Sequence, residues 1–161
     1  MGAGKTSVLA EASDILTMRH IPHAAIDLDG LGLAYLRSPS GNDGLMYRNL
    51  QSVCGNYDSA VARRLLLARA IEDRAELELC QSIVAAQNTL VCRLTASLEL
   101  MEQRIRTRES GLLRQQYVTR AAKLNAILDE ARLEDFTVIN ENRSLTDVAK
   151  EMLVKACWIR S

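Results

Sequence analysis

With 161 residues, 48% of them apolar, the chain has material for one compact core and too little for two ordinary domains. Lysine and arginine total 20, as do aspartate and glutamate, so a net charge of zero gives no global pull toward polyanions. Aromatic residues at 4% leave little for a base-stacking surface, and two prolines with eight glycines argue against a fibrous or low-complexity chain.

In chain order, apolar spacing predicts a helix from Gly4 to about His20, with Val8, Leu9, Ala12, Ile15 and Leu16 on one face and Pro22 beyond its end. Ala24 to Asp29 reads as a buried strand with its polar residues at the carboxyl end. Ser38 to Gly44 reads as a loop by composition, followed by a helix from about Leu45 to Gly55 and a further helical piece before Arg63. Leu65–Ala68 reads as a second strand, Glu72–Ala86 as a helix and Thr89–Leu94 as a third strand. Ser97 is a fitting N-cap for a helix reaching Arg108, and Gln115–Ala131 forms a long amphipathic helix. Phe136–Ile139 is the last strand, and Ser144, with Asp147 three residues on, caps a closing helix to Cys157. Strands alternating with helices predict βαβ units, hence a mostly parallel sheet with helices on both faces.

Cys54, Cys80, Cys92 and Cys157 form no CxxC pair, and with only His20 and His23 as further soft ligands they read as reduced thiols rather than a zinc site or disulfide framework. No signal-peptide pattern and no apolar run of membrane-spanning length is evident, so a cytoplasmic protein without a membrane partner is expected.

The sharpest chemical signal is Met1-Gly2-Ala3-Gly4-Lys5-Thr6-Ser7. Gly4-Lys5-Thr6 supplies the second half of the phosphate-loop pattern GxxxxGK[ST], in which glycines let backbone N–H groups converge on phosphate oxygens at a helix N-terminus. Gly2, Ala3, Gly4, Lys5, Thr6 and Ser7 would then cradle a nucleotide, Lys5 reaching its terminal phosphates and Thr6 offering a hydroxyl to Mg²⁺. The first glycine of the pattern would fall two positions before Met1, and the strand that normally delivers the loop is absent from the chain. The expectation is that upstream sequence completes the loop or that the site is defective. Met1-Gly2 with Thr6 also fits an N-myristoylation pattern, which competes for the same residues.

On GAGKT, Asp27-Leu28-Asp29, the arginines from Arg104 to Arg108 and Asn140-Glu141-Asn142-Arg143-Ser144, the chain resembles the small P-loop kinases of the adenylate kinase, shikimate kinase and adenylylsulfate kinase type over its whole length. The resemblance implies one α/β domain over 1–161, a three-layer P-loop sandwich lacking its N-terminal strand, with a lid near 108–116. It implies a kinase using ATP and Mg²⁺ to phosphorylate a small metabolite, with Asp27 near the hydrated metal and Asp29 on the acceptor. Arg108 and then Arg104 would close on the donor phosphates, with Arg114 and Arg120 as lid or post-lid residues. Asn142 and Arg143 fall where such kinases receive the adenine base.

Arg69, Glu72, Tyr35, Arg37 and Tyr47 are further candidates for the acceptor pocket. The Asp27–Asp29 pair and the arginines from Arg104 to Arg108 also have plainer readings: Asp-Gly is a common turn dipeptide, and those arginines suit a solvated helix face paired with Glu102 and Glu109. Trp158 reads as a packing residue, and His20 and His23 as helix-end residues. Alternatives are a nucleotide-binding protein without turnover and, ranked last, a nucleic-acid module. A GTPase is disfavoured because no NKxD-like sequence follows the later strands. Oligomeric state and acceptor identity are not legible.

Overall fold

In a computed structural model of the chain, residues 1–34, 41–59 and 64–160 are described. They form helices α1 (Lys5–Met18), α2 (Leu28–Leu31), α3 (Gly41–Ser59), α4 (Arg74–Val84), α5 (Leu98–Arg108), α6 (Arg114–Ala131) and α7 (Leu145–Lys155). Four strands alternate with them: β1 (Ala24–Asp27), β2 (Leu65–Ala68), β3 (Cys92–Thr95) and β4 (Phe136–Ile139). All pairing is parallel, as the βαβ pattern predicts: β1 with β2 from Ala24↔Leu65 to Asp27↔Ala68, and β3 with β4 from Cys92↔Phe136 to Thr95↔Ile139. Where the alternation predicts one sheet, the described strands form two separate pairs.

Helices cover both faces, because successive strand residues point to opposite sides. Leu66 packs into a core of Val8, Ala12 and Leu16 from α1 with Val148 and Leu153 from α7, joined by Val138 of β4. Leu65 and Leu67 point the other way, into Ile26, Met46, Tyr47 and Leu50. Since α1 contributes to the core under both pairs, it is the element that holds them in one three-layer body. Three of the four thiols are at least half-buried, and none of the four is in a disulfide; burial pushes Cys92 up to about 12 and raises Cys80 as well.

Several boundaries differ from the sequence expectation, each for a local reason. The strand expected over 24–29 stops at Asp27, whose carboxylate accepts the Asp29 N–H at 3.1 Å and caps α2 instead. The third strand begins at Cys92 rather than Thr89, because Asp135 takes the Val91 N–H at 2.7 Å before the ladder starts. The loop expected to run to Gly44 gives way to helix at Gly41, with Asp43 in the first turn where negative charge suits the helix dipole. Tyr35, Arg37 and Ser38–Ser40 lie outside the described residues; the further helical piece expected after Gly55 is a continuation of α3 to Ser59, and residues 60–63 lie outside the described residues. Ser97 and Ser144 cap α5 and α7 as expected, accepting from the Leu100 and Asp147 N–H groups.

Candidate phosphate-binding site

The segment Met1–Gly4 enters α1 by a sharp turn at the carboxyl ends of the strands. Gly2 and Gly4 both have left-handed φ, 78° and 92°. A Cβ on Gly4 would lie 2.3 Å from the Asn140 side-chain nitrogen, and one on Gly2 would lie 2.6 Å from the Met101 carbonyl oxygen. Glycine is therefore required at both places by conformation and by space.

Two residues distant in sequence hold this turn. Asn140, just past β4, is 5% exposed, and its side-chain amide donates to the Ala3 carbonyl at 2.8 Å. Arg104 of α5 donates to the Asn140 carbonyl at 3.0 Å and to the Gly2 carbonyl at 3.4 Å. Glu141 tethers the same region, accepting from the Ser97 backbone N–H at 2.8 Å and its hydroxyl at 2.9 Å, which holds the Glu141 carboxyl below its ordinary value.

On the other side, the Thr6 hydroxyl donates to Asp27 at 2.6 Å. Two hard oxygen donors thus meet where the first turn of α1 faces the end of β1. Magnesium is commonly held by one or two carboxylates together with substrate phosphates, so this pair fits it without an acidic cage; no cluster of three or more metal-ligating side chains occurs among the described residues. Asp29 does not follow the strand's alternation but sits in α2, where Arg69 donates to it at 2.9 Å. Arg69 also binds Asp43 at 3.1 Å and Glu76 at 3.1 Å. Burial alone would lower the Arg69 pKa, and the carboxylates outweigh it and raise it. Tyr47 is buried and donates to Glu76 at 2.7 Å, so it buttresses this cluster from beneath; burial first, then Glu76, raises its pKa.

The local field at the turn is cationic. The Met1 amine falls to about 6, chiefly through burial and then through Lys5, with Asp29 opposing and Arg108 and Arg120 adding smaller depressions. Lys5, Arg108 and Arg120 therefore all act electrostatically on one point beside the glycine turn, and Lys5 forms no ion pair among the described residues.

The arginines expected on the lid have partners of their own. Arg108 is largely exposed and pairs with Glu109 at 2.8 Å. Arg120 pairs with Glu72, bridging α6 to the segment before α4. Arg114 opens α6 after a five-residue connection that exposes Leu112 fully. Arg143 is drawn onto α7 by Glu151 and by the Asp147 carbonyl, and Asn142 adopts a left-handed φ of 54° in the loop before it. Ser7 is exposed on the first turn of α1. Trp158 packs against the α1–α7 core with Arg64 over its ring, and His23 links Ser13 to the Ile21 carbonyl.

Comparison with solved structures identifies the architecture. A shikimate kinase from Acinetobacter baumannii in complex with shikimate aligns over 99% of this chain and 91% of its own, with a TM-score of 0.55 at 18% identity. The APS kinase of Mycobacterium tuberculosis, in complex with AMPPNP and APS, aligns over 95% of this chain and 90% of its own, with a TM-score of 0.58 at 17% identity. The fold is that of the small P-loop kinases. No family model and no curated protein matches the sequence. In this P-loop kinase fold the glycine turn, Lys5, Thr6 and Asp27 share one end of the parallel strands, the end where open α/β sheets gather ligands.

Proposed function

We propose that this protein is an ATP-dependent kinase that transfers the γ-phosphoryl group to a hydroxyl or phosphate of a small metabolite. The observation that carries the reading is the Gly2–Thr6 turn, with two left-handed glycines, a lysine without an ion-pair partner among the described residues and a threonine hydroxyl bonded to Asp27. The two kinases of like fold, one crystallised with shikimate and one with a nucleotide analogue and APS, support both the donor and the size of the acceptor.

Phosphoryl transfer asks a protein mainly for positioning and charge neutralisation. Amides of the turn and of the first α1 residues donate to phosphate oxygens, and Lys5 places its ammonium on the terminal phosphates. Thr6 and Asp27 would hold Mg²⁺, which would supply neutralisation of phosphate charge. Asp29, held in place by Arg69, accepts the hydrogen bond of the acceptor hydroxyl and so orients it; phosphoryl transfer asks for this positioning more than for a strong base. Arg108 and Arg120, already within electrostatic reach of the turn, supply cationic charge as the 108–116 segment closes. Arg104 acts through the turn rather than on phosphate, since both of its recorded bonds go to backbone carbonyls. The Asn142–Arg143 loop borders the base through its backbone.

A second reading, nucleotide binding without transfer, is favoured by one observation: Arg104, Arg108, Arg120 and Arg143 all have partners within the protein. Transfer from γ-labelled ATP to a panel of small hydroxylated and phosphorylated metabolites, with wild type and Lys5→Ala side by side, separates the two. Label on an acceptor with wild type alone supports the kinase; ATP binding with no transfer to any acceptor supports the second reading.

A further inference from the structure

The arginines around the glycine turn are not equally committed to their partners. Arg69 gives each of its three nitrogens to a different carboxylate, Glu76, Asp29 and Asp43, and Arg104 spans two backbone carbonyls. Arg120 differs. It reaches Glu72 through a single nitrogen, Nη2, and the two side chains remain 40% and 33% exposed. A pair of this kind, held at one point and open to water, is readily exchanged for another partner. Arg108 also pairs with one carboxylate, but that of its chain neighbour Glu109, so its exchange would release no other element.

The two ends of the Glu72–Arg120 pair belong to different parts of the fold. Glu72 lies between β2 and α4, and its N–H donates to Glu76 at 2.9 Å. Glu76 accepts from Arg69, which in turn donates to Asp29. The Glu72 backbone is thereby fixed at the edge of the acceptor cluster. Arg120 stands on α6, just after the 109–113 connection. Val118 and Ala121, on either side of it in sequence, pack with Ile105 of α5 against Met1, which leads into the glycine turn. Farther along, α6 is secured to β3, where Arg93 donates to Asn125 at 3.2 Å and to Asp129 at 2.7 Å. The Arg120 backbone therefore stays beside the turn whichever partner its side chain takes.

We propose that Glu72 and the donor phosphates compete for Arg120, which makes Glu72 a positioning residue: it holds the guanidinium toward the acceptor wall and yields it to a polyphosphate in the turn. The proposal rests on the reading of the turn as a phosphate site. A polyphosphate brings several negative charges against one on a carboxylate, and guanidinium bonds to phosphate oxygens are charge-assisted and can be bidentate. The affinity of a nucleotide is then reduced by the strength of the pair that it opens. A nucleoside has no phosphate to offer and opens nothing.

The test is a double-mutant cycle on the full chain. Wild type, Glu72→Ala, Arg120→Ala and the double variant are titrated with Mg²⁺·ATP and with adenosine. Glu72→Ala should tighten ATP about threefold, and Arg120→Ala should weaken it. Glu72→Ala should change little once residue 120 is already alanine. Adenosine should bind all four proteins alike, a readout that a general loosening of the fold would move. If Glu72→Ala tightens ATP as much without Arg120 as with it, Glu72 acts only as a nearby negative charge and the proposal is overturned. It is equally overturned if the wild type binds ATP and Glu72→Ala binds it no tighter. No ATP binding by any of the four proteins would overturn the phosphate-site reading, and the competition with it.

Discussion

The Thr6 hydroxyl and the Asp27 carboxylate meet at 2.6 Å, joining the first turn of α1 to the carboxyl end of β1 across 21 residues of sequence. The contact is solvent-facing, so its worth to the fold is modest, on the order of 0.5–1 kcal/mol. Its worth to a bound Mg²⁺·nucleotide is larger. Thr6→Val and Asp27→Asn should each weaken Mg²⁺·ATP binding by roughly 10- to 100-fold while changing urea midpoints little. Calorimetric titrations with and without Mg²⁺ check this; the loss should shrink when the metal is omitted.

Gly4 and Asn140 form a steric pair. Gly4→Ala should destabilise the protein by about 2 kcal/mol, of which roughly 1–2 kcal/mol is the left-handed backbone and the rest is collision with the Asn140 amide. Asn140→Ala removes that collision, so Gly4→Ala should cost less in its presence. A double-mutant cycle by urea unfolding measures the difference, and strictly additive losses would show that the two side chains do not meet.

Arg104 clasps two carbonyls that lie 102 and 36 residues away from it. Arg104→Ala should cost about 1–2 kcal/mol of stability and loosen the glycine turn. Arg104→Lys should recover only part, because an ammonium on a flexible stem cannot span both acceptors as a planar guanidinium does. Unfolding midpoints, together with amide exchange at Gly2 and Ala3, read both effects.

The amine of Met1 carries a pH signature. Its ordinary value near 8.0 falls to about 6 in the folded protein, chiefly through burial with Lys5 adding to it. Between these values the unfolded chain binds more protons than the folded one, so stability rises with pH from 6 to 8. The penalty is complete below pH 6 and relieved above pH 8. Two units correspond to about 2.7 kcal/mol, which partial solvent screening reduces to about 1 kcal/mol. Urea midpoints at pH 6 and pH 8 should therefore differ, and acetylation of the amine should flatten that difference.

Sequence reasoning reached the parts of this protein whose causes are local. Strands Leu65–Ala68 and Phe136–Ile139 are short apolar runs between turn residues, and Ser97 and Ser144 announce their helices by their own hydroxyls. GxGKT was legible because glycine freedom and a following helix are written in adjacent residues. Where a nearby side chain competes with the ladder, the reading slipped: Asp27 ends β1 by capping α2, and Asp135 delays β3.

Roles set by distant contacts were hidden. Helical spacing places Arg104 and Arg108 on one face, yet says nothing of the carbonyls of Gly2 and Asn140 that claim Arg104. Asn140 offered one signal, a polar residue directly after a strand of apolar and β-branched residues, and its burial gives that signal its meaning. The gathering of Asp29, Asp43 and Glu76 around Arg69 joins four segments of chain, and no spacing rule connects them.

The account stands most directly on the amides of the glycine turn. A ¹⁵N–¹H titration with Mg²⁺·ATP, run on wild type and on Lys5→Ala, follows them one by one. Saturable shifts centred on Gly2 to Thr6 in the wild type, weakened at least about tenfold in Lys5→Ala, are the expected result. Amides of Gly2 to Thr6 that stay unmoved at millimolar nucleotide, or that respond equally in both proteins, would contradict it.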